Sequence, residues 1–187
     1  MGSTLMLWPV KTYNIIYVDP PWTYYVWTSK DKGRTALAHY ETMSIENICA
    51  LPVTNITASD CALFLWTTCP NLPDALRVVN SWGFTYKTVA FVWVKTNHDG
   101  SPFMGLGHWS RANAELCLLA IKGKPKRVSR AVNQIVFAPK REHSRKPDEV
   151  RKRIVELIGD LPRIELFARE KQIGWDVWGN EVNKFNE

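Results

Sequence analysis

The sequence has few cysteines, no C-x-x-C pair and no apolar run long enough to span a membrane. Three of its four cysteines, Cys49, Cys61, Cys69 and Cys117, lie inside apolar stretches. Buried, reduced thiols are therefore expected rather than disulfides or a zinc site. The four histidines show no metal-ligand spacing, so we predict no metal centre. No secretory signal precedes Asp19, and we expect a soluble, cytoplasmic protein.

Composition and length indicate an ordinary globular protein. Of the 187 residues, 45% are hydrophobic and 22% are charged. This length allows one substantial core, so we predict a single domain over residues 1–187. Nine tryptophans are many for this length, and such rings either bury large areas or stack on flat ligands.

The basic charge is concentrated in one segment. Residues 122–153 contain twelve of the 24 Lys and Arg residues but only three acids, Glu142, Asp148 and Glu149. Phosphate backbones attract such a segment, which favours a nucleic-acid partner. A solvated protein surface has the same pattern, so charge alone leaves both interpretations open.

Short apolar runs alternate with helical patterns along the chain. Strands are predicted at residues 13–18, 61–66, 87–95, 115–123 and 163–168, all apolar enough for burial on both faces. Helices are predicted in "NLPDALRVVNSWG" and "KPDEVRKRIVELIGD", which place Pro and Asp at the start and Gly at the end. The pattern predicts an α/β fold with a mostly parallel sheet covered by helices on both faces. Residues 23–40 and 96–113 read as long functional loops.

The first predicted strand ends on the tetrapeptide "DPPW", Asp19 to Trp22. Ligands bind beyond the carboxyl ends of parallel strands, so this motif lies where chemistry is expected. A Pro-stiffened turn with a packed Trp is the alternative. The chemistry of an exocyclic amine favours a catalytic interpretation, because Asp19 and the Pro20 carbonyl can accept its two hydrogens and free its lone pair. Pro20 and Pro21 restrict the backbone, while Trp22 or Tyr24 offers a face for a base.

Several motifs in one order resemble the MT-A70 family of S-adenosylmethionine-dependent N6-adenosine methyltransferases, which has eukaryotic, bacterial and phage members. After "DPPW" follow "HYETMS", "LFLWTTCPNLPDAL", "GLGHWSRANAELCLLAIKGKP", "EHSRKPDEVR", "IELFARE" and "GWDVWGNE". The resemblance covers residues 13–181 and implies a permuted Rossmann-like methyltransferase fold. In such a fold the catalytic strand comes early, and the strand nearest the cofactor, here 163–168, comes late. No G-x-G-x-x-G is expected, and none is present.

The resemblance also assigns a cofactor site. It implies that Lys146 contacts the carboxylate end of S-adenosylmethionine, and that Arg169 and Asn180 bind its ribose or carboxylate. Lys171 and Gln172 replace a His-Asn pair of the family, and Glu181 replaces a glutamine. The implied cofactor-binding set is Asp19, Lys146, Arg169, Lys171, Gln172, Asn180 and Glu181. Because the family's adenine-reading acid lies upstream of the catalytic strand and only eighteen residues precede Asp19, we expect other groups to hold the cofactor adenine.

Further residues are candidates for substrate contacts. Trp66, Trp82 and Trp93 are predicted to lie in the core because they sit in or beside apolar runs. The candidate substrate-binding set is Trp22, Tyr24, Lys95, Trp109 and Arg111. Flat rings suit bases, and cations suit phosphates.

The leading hypothesis is methyl transfer to N6 of adenine in nucleic acid, with DNA favoured over RNA because the chain resembles compact bacterial or phage members. A catalytically silent nucleic-acid-binding subunit is one alternative, although such partners lack an intact acid-Pro-Pro-aromatic motif. A methyltransferase for a protein or small-molecule amine is another. The resemblance leaves homodimer, heterodimer and monomer open.

Overall fold

The computed structural model describes residues 7–23, 42–105, 107, 109–141 and 145–184. Within them, strands and helices alternate along much of the chain. The elements are β1 Tyr13–Val18, α1 Ile45–Cys49, β2 Thr57–Thr67, α2 Leu72–Ser81, β3 Thr85–Thr96, β4 Ala114–Lys122, β5 Ile135–Pro139, α3 Glu149–Ile158, β6 Arg163–Leu166 and β7 Asp176–Trp178. No helix in these ranges has the length and apolar character needed to cross a membrane.

The strands form one sheet in the order β5-β3-β4-β2-β1-β6-β7. Strand β4 is antiparallel to both β2 and β3, whereas the other neighbouring pairs are parallel. The amino end of β4 therefore lies beside the carboxyl ends of the other strands. We call this side of the sheet the carboxyl edge and the opposite side the amino edge.

Alternate residues of the central strands point to two separate cores. Ile16 of β1 and Leu63 of β2 pack in one core with residues of α1 and α2. Ile15 and Phe64 pack in the other with Val150 and further residues of α3. This alternation follows from the two-residue period of a strand. The structure confirms the predicted α/β class, the mostly parallel sheet and the helices on both faces.

The structure contains all five predicted strands and both predicted helices, with shifted ends. Helix α3 ends at Gly159, whose φ of 101° lies in the region that favours glycine. Strand β3 corrects one expectation, because Lys87 and Thr88 of the predicted run 87–95 are exposed rather than buried on both faces. The patterns missed α1, β5 and β7, which have only five, five and three residues. Elements this short show no clear periodicity.

The tryptophan and cysteine predictions fare unequally. Trp66, Trp82 and Trp93 are at most 1% exposed, which confirms them as core residues. All four cysteines are free thiols, but burial is confirmed only for Cys61 and Cys117, because Cys49 is partly exposed and Cys69 is exposed. Burial raises the pKa of the Cys61 thiol to about 12, so this side chain is an inert core group. Among the described residues, no group of three or more His, Cys, Asp or Glu side chains is placed to hold a metal ion.

Candidate active site

The "DPPW" motif forms a tight turn at the carboxyl edge, directly after β1. The Trp22 N–H donates to the Pro20 carbonyl at 2.8 Å, and the Met43 N–H donates to the Pro21 carbonyl at 2.9 Å. Strand β1 lies between β2 and β6, so Asp19 emerges near the middle of the sheet. The Asp19 side chain remains 20% exposed. The turn therefore fixes a carboxylate that a ligand can reach.

Trp22 occupies a different place from the one predicted. Its ring is 3% exposed and packs in the core, and its indole N–H donates to the Trp66 carbonyl at 3.0 Å. A ring in this position does not offer a face to a base, so we correct the stacking role. Trp22 instead anchors the turn that holds Asp19. Tyr24, the other candidate for stacking, lies outside the described residues.

A chain of alternating charges extends from Asp19 across the sheet. The Lys146 Nζ lies 2.8 Å from Asp19 Oδ2 and 3.1 Å from Glu115 Oε2. The Lys95 Nζ lies 2.5 Å from the other oxygen of Glu115. Lys146 is 9% exposed and Glu115 is 7% exposed at their side chains. The antiparallel direction of β4 brings Glu115 to this edge, because it is the second residue of that strand.

These contacts bear on one sequence-based assignment and identify one residue that the sequence analysis missed. Lys95, a candidate phosphate ligand, pairs with Glu115 and lies 5.0 Å from the centre of the Trp93 ring. Its side chain is 20% exposed, and its role as a phosphate ligand stays a prediction. Glu115 itself escaped the sequence analysis. Its signal was a single acid at the start of a strand that is apolar up to its last residue, "AELCLLAIK".

The Glu115 carboxylate is charged in the folded protein. Burial raises the pKa of this group, but Lys146 and Lys95 together outweigh burial and hold the pKa below its ordinary value of 4.5. A depressed pKa in the folded state contributes stability above the unfolded pKa. That contribution is lost as the pH falls through the folded pKa.

Replacement of Glu115 by glutamine should therefore destabilise the protein in a pH-dependent way. We expect Glu115→Gln to lower the free energy of unfolding by about 2–3 kcal/mol at pH 7, because the partly buried Lys95 and Lys146 lose their shared carboxylate. The difference from wild type should begin to shrink as the pH falls below 4.5, because unfolded wild type then takes up a proton that the folded protein still excludes. Urea unfolding at pH 7 and pH 4 measures it, with the exposed Glu156→Gln on α3 as control. A loss that is equal at both pH values would contradict this assignment.

The loop after β6 supplies the second side of the site. Phe167, which follows β6, has a φ of 57°, the only positive value among the described residues other than glycine. Such a backbone is strained and is typical of functional turns. Two residues after Phe167 comes Arg169, whose guanidinium lies 3.9 Å from Asp19 Oδ2 and 3.8 Å from Glu181 Oε2. Asp19, Arg169 and Glu181 thus meet at one edge although they follow three different strands.

The remaining predicted residues lie in the segments after β6 and β7 and in the connection between β3 and β4. Gln172 accepts a hydrogen bond from the Trp175 N–H through its backbone carbonyl. Lys171 and Asn180 are exposed in the segments that follow β6 and β7. Trp109, which is 97% exposed, and Arg111 lie in the connection between β3 and β4. Their assigned roles stay predictions.

A buried ionic network that the sequence analysis missed lies beside Asp19. Arg151 of α3 contacts Glu165 of β6 at 2.7 Å and Glu170 at 3.2 Å. Arg145 contacts the other oxygen of Glu170 at 2.6 Å. A small pocket opens between these groups, lined by Asp19, Arg145, Lys146, Arg151, Glu165, Phe167, Arg169 and Glu170. The pocket is therefore strongly charged and suits a ligand that carries both signs of charge.

The basic segment is divided between the two edges of the sheet. Lys140, Arg141, Arg145 and Lys146 lie at the carboxyl edge, because they follow β5 and precede α3. Residues 122–130 follow β4, whose reversed direction places them at the amino edge. The basic segment therefore forms two separate groups of cations, one at each edge of the sheet.

Comparison with known proteins identifies the family. The MT-A70 family model matches residues 13–181. The type II methyltransferase M.MunI of Mycoplasma sp is 37% identical over 191 residues, which cover 93% of this chain and 79% of that protein. An N(6)-adenosine-methyltransferase MT-A70-like protein of Arabidopsis thaliana is 32% identical, over 92% of this chain and 24% of that protein. The human N(6)-adenosine-methyltransferase catalytic subunit METTL3 is 27% identical, over 91% of this chain and 28% of that protein.

The matched region contains both sides of the site. It begins at the start of β1 and ends at Glu181, so it includes Asp19, Lys146 and Arg169. The fold and the site thus lie within one continuous family match that covers most of the chain. This chain belongs to the MT-A70 family of methyltransferases.

Proposed function

We propose that this methyltransferase transfers a methyl group from S-adenosylmethionine to the N6 amino group of adenine in DNA. The observation that carries the proposal is the position of Asp19. Its carboxylate is held at the carboxyl edge, 2.8 Å from Lys146 and 3.9 Å from Arg169. It can therefore contact a cofactor bound at Lys146 and Arg169 and also accept a hydrogen bond from a substrate amine.

The charged groups at this edge fit S-adenosylmethionine. Lys146 and Arg169 match its carboxylate, and Glu181, 37% exposed at its side chain, can accept hydrogen bonds from ribose hydroxyls. The charged pocket beside Asp19 suits the zwitterionic amino-acid end of the cofactor. When bound, S-adenosylmethionine supplies an electrophilic methyl group on a sulfonium. The residues present are compatible with this cofactor.

The chain itself orients the attacking amine. The exocyclic amine of adenine is a poor nucleophile, because its lone pair is delocalised into the ring. Asp19 accepts one of its hydrogens, and the Pro20 carbonyl accepts the other. That carbonyl already accepts one hydrogen bond from the Trp22 N–H, and its second lone pair remains available. Acceptors fixed before the substrate arrives lower the cost of reaching the transition state.

The preference for DNA rests on the Mycoplasma relative, a type II methyltransferase, since type II enzymes act on DNA. This chain spans 79% of that protein, against 24% of the Arabidopsis protein. We place this activity in the cytoplasm of a bacterium or a phage-infected cell, because the Mycoplasma relative is bacterial. A second subunit, identical or different, belongs to the same proposal, because the human relative is named a catalytic subunit.

The test is transfer of labelled methyl from S-adenosylmethionine to single-stranded DNA, duplex DNA and RNA of one sequence. We expect N6-methyladenine in DNA, and no label in an otherwise matched oligonucleotide without adenine. Label on RNA alone would overturn the DNA preference. Absence of product on all three, with cofactor binding intact by calorimetry, would overturn the proposed activity and favour a silent subunit. A rate that rises more than linearly with enzyme concentration would identify a homodimer.

A further inference from the structure

A second basic surface lies on the amino edge, away from the candidate active site. Residues 122–130, "KGKPKRVSR", contain five basic residues and no acid. We call them the amino-edge basic loop. Four of the five side chains are exposed: Lys124, Lys126, Arg127 and Arg130. The proposed chemistry at Asp19 does not use any of them.

The backbone of the amino-edge basic loop is tied to the rest of the fold. Gly123 has a φ of 66°, and a side chain there would collide with the Ser59 carbonyl. The Lys124 N–H donates to the Asp60 carboxylate at 2.7 Å, and the Val128 N–H donates to the Leu157 carbonyl at 2.8 Å. The loop therefore presents its cations from a fixed position rather than as a flexible tail.

The exposed cations of this loop keep their charge available to a partner. Elsewhere in the basic segment, Arg141, Arg145, Lys146, Arg151 and Arg153 pair with carboxylates. In the part of the chain that the structure describes, no ion pair includes Lys124, Lys126, Arg127 or Arg130. An uncompensated cluster of this kind attracts a polyanion.

The sheet sets the distance between this surface and the site. Strand β4 runs from Glu115, beside Lys146, to Lys122, where the loop begins. Seven residues of strand span about 23 Å. Successive phosphates of one DNA strand lie about 3.4 Å apart along the duplex axis, so this separation corresponds to about seven nucleotides.

We propose that the amino-edge basic loop binds the phosphate backbone of the substrate nucleic acid, about seven or more nucleotides from the target adenine. This inference rests on the proposed function, because it takes nucleic acid as the substrate. Phosphate contacts position a nucleic acid without reading its sequence. The loop therefore raises affinity for long substrates and leaves both base preference and the methyl-transfer step unchanged.

The test compares wild type with the variant Lys124→Gln, Lys126→Gln, Arg127→Gln, Arg130→Gln. Dissociation constants are measured for DNA of 8 and about 30 nucleotides with a central adenine, over a range of salt concentrations. We expect the variant to bind the longer DNA about tenfold or more weakly at moderate salt. The logarithm of the binding constant falls linearly with the logarithm of the salt concentration. The steepness of that line should decrease by about 0.7–0.9 for each phosphate that the loop no longer neutralises. Binding of the 8-nucleotide DNA and the rate at saturating DNA should equal those of wild type.

Single variants give a matched control. Lys126→Gln should weaken binding of the longer DNA, and Lys152→Gln, an exposed lysine of α3 outside the loop, should not. Unchanged binding of the longer DNA by the quadruple variant would overturn the inference while the proposed function stands. An equal loss on both lengths would overturn it as well. Failure of wild type to bind or methylate any nucleic acid would overturn the proposed function, and with it this inference. Loop-dependent binding to phosphatidylserine vesicles, with unchanged DNA affinity, would assign the loop to a membrane instead.

Discussion

Asp19→Asn is expected to reduce methyl transfer about a thousandfold while the protein stays folded. The amide keeps the shape of the carboxylate but presents a donor as well as an acceptor, so it no longer favours the attacking amine. Loss of one preorganised group at a reacting atom typically lowers the rate by a factor on the order of 10²–10³. Lys146 keeps Glu115 as a partner at 3.1 Å, which leaves the surrounding charges compensated.

Single-turnover transfer of labelled methyl measures this effect, since it separates the chemical step from product release. The control is Glu156→Gln, which changes an exposed carboxylate of α3 into an amide and should leave the rate unchanged. Cofactor binding by calorimetry shows whether the variant still loads. A variant that keeps more than about a tenth of the wild-type rate would show that Asp19 is not the acceptor we assign.

Arg151→Met should destabilise the protein by about 3–5 kcal/mol, because it leaves buried carboxylates without their cation. Arg151 is 10% exposed at its side chain and contacts Glu165 through two hydrogen bonds, at 2.7 and 3.0 Å. Burial raises the pKa of Glu165, and Arg151 opposes that rise. Without Arg151, the Glu165 carboxyl group should hold its proton in the folded state. Above pH 4.5 it should lose that proton when the protein unfolds.

The sign of the pH dependence follows from that difference. With a folded pKa above the unfolded value of 4.5, the variant loses stability as the pH rises from 4.5 towards the folded pKa. The deficit relative to wild type should therefore be larger at pH 8 than at pH 5. Urea unfolding at both pH values measures it. Lys152→Met, on the exposed side of the same helix, should cost less than about 0.5 kcal/mol.

A double variant isolates the interaction itself. Arg151→Met combined with Glu165→Met removes both charges, so it should be more stable than the sum of the two single losses implies. Additive losses, or an Arg151→Met loss below about 1 kcal/mol, would show that the pair is not a coupled unit.

Features that depend on neighbouring residues could be predicted from the sequence. The apolar runs predicted the central strands because a strand buried on both faces needs an unbroken apolar stretch. The motif placed Asp19 at a strand end, and the structure places it there. By contrast, the short edge elements β5 and β7 escaped notice. Trp22 was misassigned because a ring beside an exposed turn can face either solvent or the core, and only its neighbours decide which.

The sequence by itself determined the α/β class, the central strands, the helix ends at Pro and Gly, and the motif that names the chemistry. These depend on residue type and local spacing. Only the tertiary structure decided which charges meet, because the partners are distant along the chain: Lys146 and Asp19 are 127 residues apart. The reversed direction of β4 decided where Glu115 and residues 122–130 lie. It carries Glu115 to the active site and residues 122–130 to the opposite edge, and strand direction is a property of pairing that no single stretch of sequence contains.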